Sequence, residues 1–119
     1  MESGLVIDVD GNVIHRHAPS GRTSASLPDS RQLWDVIWEN RDRLLGIAHS
    51  HPGRGVPSPS GTDLTTFDAV ERALGRRLSW WIASEDETIL CSRVDADYAV
   101  AAVRSEPYWI EELRALGRP

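Results

Sequence analysis

The stretch that decides the fold, residues 44–63, reads LLGIAHSHPGRGVPSPSGTD. The short apolar run at residues 44–48 predicts a buried strand that leads directly into two histidines. Glycines and prolines recur over residues 53–61 and predict a loop. Ser60 and Asp63 resemble a capping box, because the serine can accept a bond from an orphan amide and the acid favours the positive end of a helix. The stretch therefore predicts a strand, a loop and the start of a helix.

Upstream of this stretch we expect a hairpin, a loop and a helix. Asp10-Gly11 is a favoured tight-turn pair between two β-branched runs and predicts the hairpin. Residues 18–28 are rich in Ser, Gly and Pro and are interpreted as a loop. Asp29 begins an N-cap pair, and the apolar spacing after it predicts a helix over residues 30–43.

Downstream, the patterns predict a helix, two or three strands and a last helix. The helix that begins near the capping box should end at Gly75. Strands are expected over residues 78–83 and 88–94, while residues 98–103 fit a strand or a helix turn. Pro107 stands where helices often begin and predicts a short final helix. The order of elements predicts an α/β domain with a mixed central sheet flanked by helices.

Four of the five tryptophans are expected to be buried or to contribute to an interface. Trp34 and Trp38 form a stripe at helix spacing, which is typical of core residues. Trp80 and Trp81 are adjacent in a predicted strand, so their side chains should point to opposite faces. One of these two should lie in the core, and the other against a helix-covered face or an interface.

Length and composition restrict the class of protein. The 119 residues fit one domain, residues 1–119, and 40% hydrophobic with 26% charged residues is typical of a globular chain. The net charge of −5 argues against a nucleic-acid partner. No signal peptide is visible, and no apolar run approaches the roughly 20 residues that cross a bilayer. We expect a soluble, cytoplasmic protein without a membrane partner; the sequence predicts no oligomeric state.

A candidate metal site lies where the predicted strand ends. His49 and His51 are two residues apart, so their side chains should project from the same face of the strand. Asp63, in the first turn of the next helix, can fold back toward them across the loop. Two neutral imidazoles and one carboxylate form a zinc ligand set that leaves the fourth position to water. Zinc lowers the pKa of bound water to about 7, which suits hydrolysis of an amide.

Such hydrolysis also needs a general base that takes the proton of the attacking water. Three carboxylates come into consideration. Glu39 is expected on the solvent side of the first helix, Asp10 in the hairpin turn, and Glu2 directly before the first strand.

These residues resemble the signature of the JAMM (MPN+, Mov34/JAB) zinc metalloprotease family. The resemblance rests on the His-Ser-His-Pro sequence, the Gly/Pro-rich loop and the Ser-Gly-Thr-Asp helix start, and it extends roughly over residues 27–84. The chain resembles a short prokaryotic-type member. The resemblance implies the MPN/JAB fold, which is of the cytidine deaminase-like type.

The resemblance also implies roles for individual residues. His49, His51 and Asp63 would be the zinc ligands, and Ser60 would donate a hydrogen bond to the oxyanion. Glu2 would be the general base, because the family has a glutamate before a similar strand. The activity implied is that of a metallopeptidase or isopeptidase acting on a peptide, a ubiquitin-like protein or a small-peptide conjugate.

Two departures from the family pattern leave a second function open. The loop over residues 52–59 is one residue longer than in the family, and Glu2 stands one residue nearer to the following glycine. The alternative is an inactive MPN-like zinc-binding interaction module, or a site that a partner chain completes.

Three further features have simpler interpretations. His15 and His17 repeat the His-x-His spacing, but no acid or helix start follows them, so we expect a surface pair that binds no metal. The single cysteine, Cys91, cannot form an internal disulfide and should be a buried strand residue. The acidic residues 85–87 should form a solvated turn.

Overall fold

The computed structural model describes residues 2–18 and 31–118, which form six strands and three helices. Their order is β1 (Gly4–Asp8), β2 (Val13–His17), α1 (Arg31–Glu39), β3 (Leu44–Ser50), α2 (Gly61–Leu74), β4 (Ser79–Ala83), β5 (Thr88–Val94), β6 (Asp97–Ala102) and α3 (Ile110–Gly117). The predicted α/β class is confirmed. The predicted loop over residues 18–28, apart from Ala18, and the Asp29 cap lie outside the described residues.

The strands form one mixed sheet in the order β2-β1-β3-β4-β5-β6. β3 and β4 run parallel, while the other neighbouring pairs are antiparallel. A parallel pair needs a long crossover connection, and α2 provides it. The carboxyl ends of β3 and β4 therefore lie side by side at the same end of the sheet, where Ser50 pairs with Ala83. The histidines of the candidate site lie at these strand ends.

β3 and β4 approach each other closely at Gly46. A Cβ atom there would lie 1.9 Å from the Ser79 carbonyl oxygen and 2.9 Å from the Trp81 ring. Because the nearest obstacle is backbone, only glycine fits at this position. The close approach fixes the register that brings the two strand ends together.

Hydrophobic clusters cover both faces of the sheet. On one face Phe67 of α2 stacks on Trp80, with ring centroids 4.3 Å apart. On the other face Trp81 packs against Trp109, which precedes α3, at 5.0 Å. The two adjacent tryptophans thus point to opposite faces as predicted, and both are buried.

The predicted elements around the site are confirmed. β1 and β2 form the expected hairpin around Asp10-Gly11. α2 begins after the Ser60 cap and ends at Gly75, whose φ of 69° is the left-handed conformation that glycine favours. The ambiguous segment near residue 98 is a strand, β6. In the described part of the chain, no helix has the length and apolar character that crossing a membrane requires.

The first helix is shorter than predicted. The apolar spacing predicts a helix over residues 30–43, but α1 ends at Glu39. The Asn40 side-chain amide donates to the Val36 carbonyl at 2.8 Å, and the Arg43 N–H donates to the Asn40 carbonyl at 2.8 Å. These bonds close the end of the helix in a turn, and the turn lets the chain enter β3.

Trp34 and Trp38 are not core residues, contrary to the prediction. Their exposed fractions are 36% and 44%, whereas Ile37 is the buried residue of α1. Their rings lie 6.1 Å apart, and the Arg41 guanidinium covers Trp38 at 4.3 Å. The stripe that faces the sheet is centred on Ile37, with Leu33 beside it, so the tryptophans lie at its border.

Candidate metal centre

The two histidines at the end of β3 point at each other. The Nε2 atoms of His49 and His51 are 3.1 Å apart. His49 is buried, and its ring meets Phe67 edge to face at 6.2 Å. The His51 backbone N–H donates to the Ala83 carbonyl at 2.9 Å, which fixes this residue to the end of β4. The sheet and the first turns of α2 therefore hold both imidazoles in place.

Asp63 reaches these histidines from the first turn of α2. Its carboxylate oxygens lie 3.5 Å from the Nε2 atom of His49 and 3.2 Å from that of His51. The same carboxylate accepts the Ser60 backbone N–H at 2.9 Å, while the Asp63 N–H donates to the Ser60 hydroxyl at 3.0 Å. Asp63 thus belongs to a capping box and to the site at once, because the cap orients its carboxylate toward the histidines.

The spacing of these three donor groups suits one small cation. Ligand atoms around a tetrahedral zinc ion, with bonds of about 2.0–2.1 Å, lie roughly 3.3–3.4 Å apart. The Nε2 atoms of His49 and His51 are 3.1 Å apart, and each approaches a different oxygen of Asp63: Oδ1 lies 3.5 Å from His49 and Oδ2 lies 3.2 Å from His51. The three side chains therefore lie close enough together to be candidate ligands of one metal ion.

A second carboxylate, that of Glu2, stands at the same place. A ligand atom of Glu2 lies within 4.8 Å of ligand atoms of His49 and His51. Glu2 is only 2% exposed. Its neighbour Ser3 exchanges hydrogen bonds with Ser50: the Ser3 N–H donates to the Ser50 hydroxyl at 2.9 Å, and the Ser50 N–H donates to the Ser3 carbonyl at 3.0 Å. These bonds attach the segment before β1 to the end of β3.

The other two carboxylates considered as a base lie elsewhere. Asp10 is exposed in the hairpin turn, 3.8 Å from Arg43, and Glu39 is exposed at the end of α1. Sequence reasoning did not identify Ser3 and Ser50 as the residues that hold Glu2. Their bonds depend on the β1–β3 register, which no local pattern encodes.

The charges of the site favour an ionised acid and a proton on histidine. Burial alone would raise the pKa of Asp63, but hydrogen bonds with His49 and His51 hold that pKa well below its usual range. Burial would lower the pKa of His51, yet the hydrogen bond with Asp63 and the charges of Asp63 and Glu2 raise it. Protons therefore compete with a cation here, and binding should weaken as the pH falls.

A cavity of about 190 Å³ opens beside His51. Its lining includes Ser50, Ser84, Arg114 and Arg118. The Arg114 guanidinium donates to the Ser84 carbonyl at 2.8 Å and also pairs with Glu106 and Glu111, so its charge is compensated within the fold. The cavity gives the candidate site an adjoining space.

The second His-x-His pair does not lie at the surface, because His17 is buried and His15 is half-buried, so that prediction is wrong. His17 is 2% exposed, and the Nε2 atoms of His15 and His17 are buried without a hydrogen-bond partner in residues 2–18 and 31–118. The pair lies on the face of β2 that continues toward His49, because Gly4 pairs with both His17 and His49. The absence of metal from this pair stays a prediction.

Cys91 is a buried strand residue, as predicted. Burial, with a smaller contribution from the charge of Asp63, raises the pKa of its thiol to about 11. The thiol is therefore neutral near pH 7, which makes it a poor metal ligand.

Comparison with known proteins places the chain in a family. A search of curated proteins finds no relative. The family model for prokaryotic homologs of the JAB domain matches residues 4–97. The matched part contains His49, His51, Ser60 and Asp63, whereas Glu2 precedes it. Together with the mixed sheet and its flanking helices, the match over most of the chain shows that this protein belongs to the prokaryotic homologs of the JAB domain.

Proposed function

We propose that this protein is a zinc-dependent metallohydrolase that cleaves a peptide or isopeptide bond. The observation that carries the proposal is the convergence of His49, His51 and Asp63, whose closest nitrogen and oxygen atoms lie 3.1–3.5 Å apart pair by pair, beside the carboxylate of Glu2. The two imidazoles and one carboxylate would be the metal ligands, and the second carboxylate would be the general base. Membership of the JAB family supports a hydrolase of this class.

His49, His51 and Asp63 would hold the zinc ion. Two neutral nitrogens and one carboxylate suit zinc and leave room for a fourth ligand. When bound, zinc would activate water and polarise the carbonyl of the scissile bond. The Ser60 cap supports this role, since it fixes the Asp63 carboxylate before any ion binds.

Glu2 would act as the general base and then as the general acid. Its carboxylate would take a proton from the attacking water and pass it to the leaving amine. The buried position of Glu2 and the Ser3–Ser50 bonds support this role, because a base must be held within reach of the water.

Ser60 would help to stabilise the oxyanion. Its hydroxyl oxygen accepts the Asp63 N–H, so the hydroxyl hydrogen can donate elsewhere. The substrate we propose is the extended C-terminal tail of a ubiquitin-like protein or a short peptide conjugate. The substrate class comes from the family resemblance, and the cavity beside His51 offers space for a residue next to the scissile bond.

The proposal is tested by measuring zinc content and turnover together. We expect about one zinc ion per chain, and cleavage of fluorogenic peptides or ubiquitin-like fusions. Glu2→Gln should keep the zinc and lower turnover roughly 10²–10⁴-fold, because it removes the proton acceptor. Glu39→Gln, at an exposed site on α1, is the matched control and should change neither quantity.

Three outcomes would redirect the proposal. A wild-type chain that binds no zinc would refute it. Unchanged turnover in Glu2→Gln would remove the base from the mechanism. Stoichiometric zinc without turnover on a broad substrate panel would favour the alternative, an inactive zinc-binding interaction module or a site completed by a partner chain.

A further inference from the structure

β6 (Asp97–Ala102) is an edge of the sheet, and within the described residues no strand lies beyond it. Val103, just after β6, donates its N–H to the Thr88 carbonyl directly opposite. Bonded and non-bonded positions alternate along an antiparallel pair, so every second residue before Val103 also faces β5 with its backbone groups. The residues between them direct their N–H and C=O groups away from the sheet: Tyr98, Val100 and Ala102.

In the part of the chain that the structure describes, this edge lacks the usual protection against pairing. Proteins protect exposed edges with prolines, lysines, bulges or covering segments. The sequence of β6, DYAVAA, contains neither proline nor lysine, and its register with β5 is continuous. Its alanines are exposed, and Val100 is 50% exposed. The opposite edge, β2, differs because it has a bulge and carries Arg16, which pairs with Glu112.

We propose that two copies of this chain associate through β6, paired antiparallel so that their sheets become continuous. In the register that uses all outward backbone groups, Val100 lies opposite Val100 of the second copy, and Tyr98 lies opposite Ala102. The side chains at the centre of this contact are small, so the strands can approach to hydrogen-bonding distance. Such an arrangement satisfies a two-fold axis through Val100.

The charges at the two ends of the strand favour a second copy as the partner. Asp95 lies in the turn before β6, Asp97 is the first residue of β6, and Arg104 follows its end; all three are exposed. Antiparallel pairing brings the acidic end of each copy beside the arginine of the other, whereas parallel pairing would bring like charges together. The edge is therefore complementary to itself.

Sedimentation equilibrium of the full chain tests this interface with a matched pair of variants. Val9 and Val100 are the same residue type with nearly equal exposure, 53% and 50%, but Val9 lies in the turn after β1. We expect the wild type to dimerise. Val100→Lys places two like charges opposite each other and should raise the dissociation constant roughly tenfold or more, while Val9→Lys should leave it unchanged.

A second variant tests the backbone pairing itself. Val100→Pro removes an outward N–H and leaves the bonds to β5 intact, so it should also favour the monomer. Thermal unfolding followed by circular dichroism identifies which of the two Val100 variants is folded and can be interpreted. A wild type that is monomeric at its highest soluble concentration would overturn the proposal. So would folded Val100 variants that dimerise as tightly as Val9→Lys.

Discussion

The two His-x-His pairs lie on the same face of one sheet, yet only one of them forms a candidate site. Gly4 of β1 pairs with His17 on one side and with His49 on the other, so a single strand separates the pairs. Both pairs have the same spacing, and each has one buried and one half-buried histidine. Strand geometry therefore accounts for the convergence of imidazoles, and it does not by itself make a site.

The difference lies in the carboxylates. His49 and His51 meet Asp63 from the start of α2, with Glu2 in reach before β1. The Nε2 atoms of His15 and His17 meet no acceptor or donor in the described residues. A carboxylate beside the imidazoles supplies an anionic ligand and helps to offset the cost of taking a cation out of water. The comparison teaches that the helix start, more than the histidine spacing, marks the candidate site.

Removal of a ligand should produce the largest difference between the pairs. His49→Ala and Asp63→Ala each delete one of three proposed ligands, and we expect metal affinity to fall by at least about 100-fold, with loss of turnover. His15→Ala should leave the metal content unchanged. Metal analysis after dialysis against a weak chelator distinguishes these results. Loss of metal from His15→Ala would mean that the two pairs act together.

A smaller effect is expected when the helix start is altered. Ser60→Ala should lower stability by about 1 kcal/mol, because the Asp63 N–H loses its cap. If Ser60 donates to the oxyanion, turnover should fall by roughly 10²-fold or more. Ser60→Thr keeps a hydroxyl cap, and Ser58→Ala changes an exposed loop serine, so both serve as controls. Urea unfolding and steady-state kinetics separate the two contributions.

The sequence predicts the centre of the molecule because its signals there are local. The apolar run of β3, the glycines and prolines of the loop, and the Ser60–Asp63 box all lie within residues 44–63. Each of these patterns identifies one element: a strand, a loop or the start of a helix. Together they give the strand, the crossover helix and the positions of the proposed ligands.

Other features depend on contacts between distant segments. Glu2 is held because Ser3 bonds to Ser50, and this pairing depends on the register between β1 and β3. Helical spacing shows that Trp34 and Trp38 share a stripe, but it does not show which part of that stripe faces the sheet. The burial of His17 likewise depends on tertiary packing over an edge strand.

The smallest expected effect is a difference in the pH dependence of stability. Burial lowers the pKa of His17, with a smaller contribution from His15, so the unfolded chain binds this proton more readily than the folded one. Stability from His17 is therefore lost as the pH falls below about 6.5. In the metal-free chain the contacts with Asp63 outweigh burial and raise the pKa of His51. Its contribution is present below about pH 6.5 and is lost as the pH rises through the raised pKa.

Leucine variants of the two histidines should separate these opposite signs. Relative to the wild type, His17→Leu should gain stability at about pH 5.5 compared with about pH 8, because it removes an imidazole that resists protonation when folded. His51→Leu should lose more stability at the lower pH than at the higher pH, since it removes the protonated partner of Asp63. Differences below about 1 kcal/mol are expected, measured by urea unfolding of the chelator-treated chain. If the stability of both variants changes in the same direction between the two pH values, then pairing with an acid does not explain the difference between the two histidine pairs.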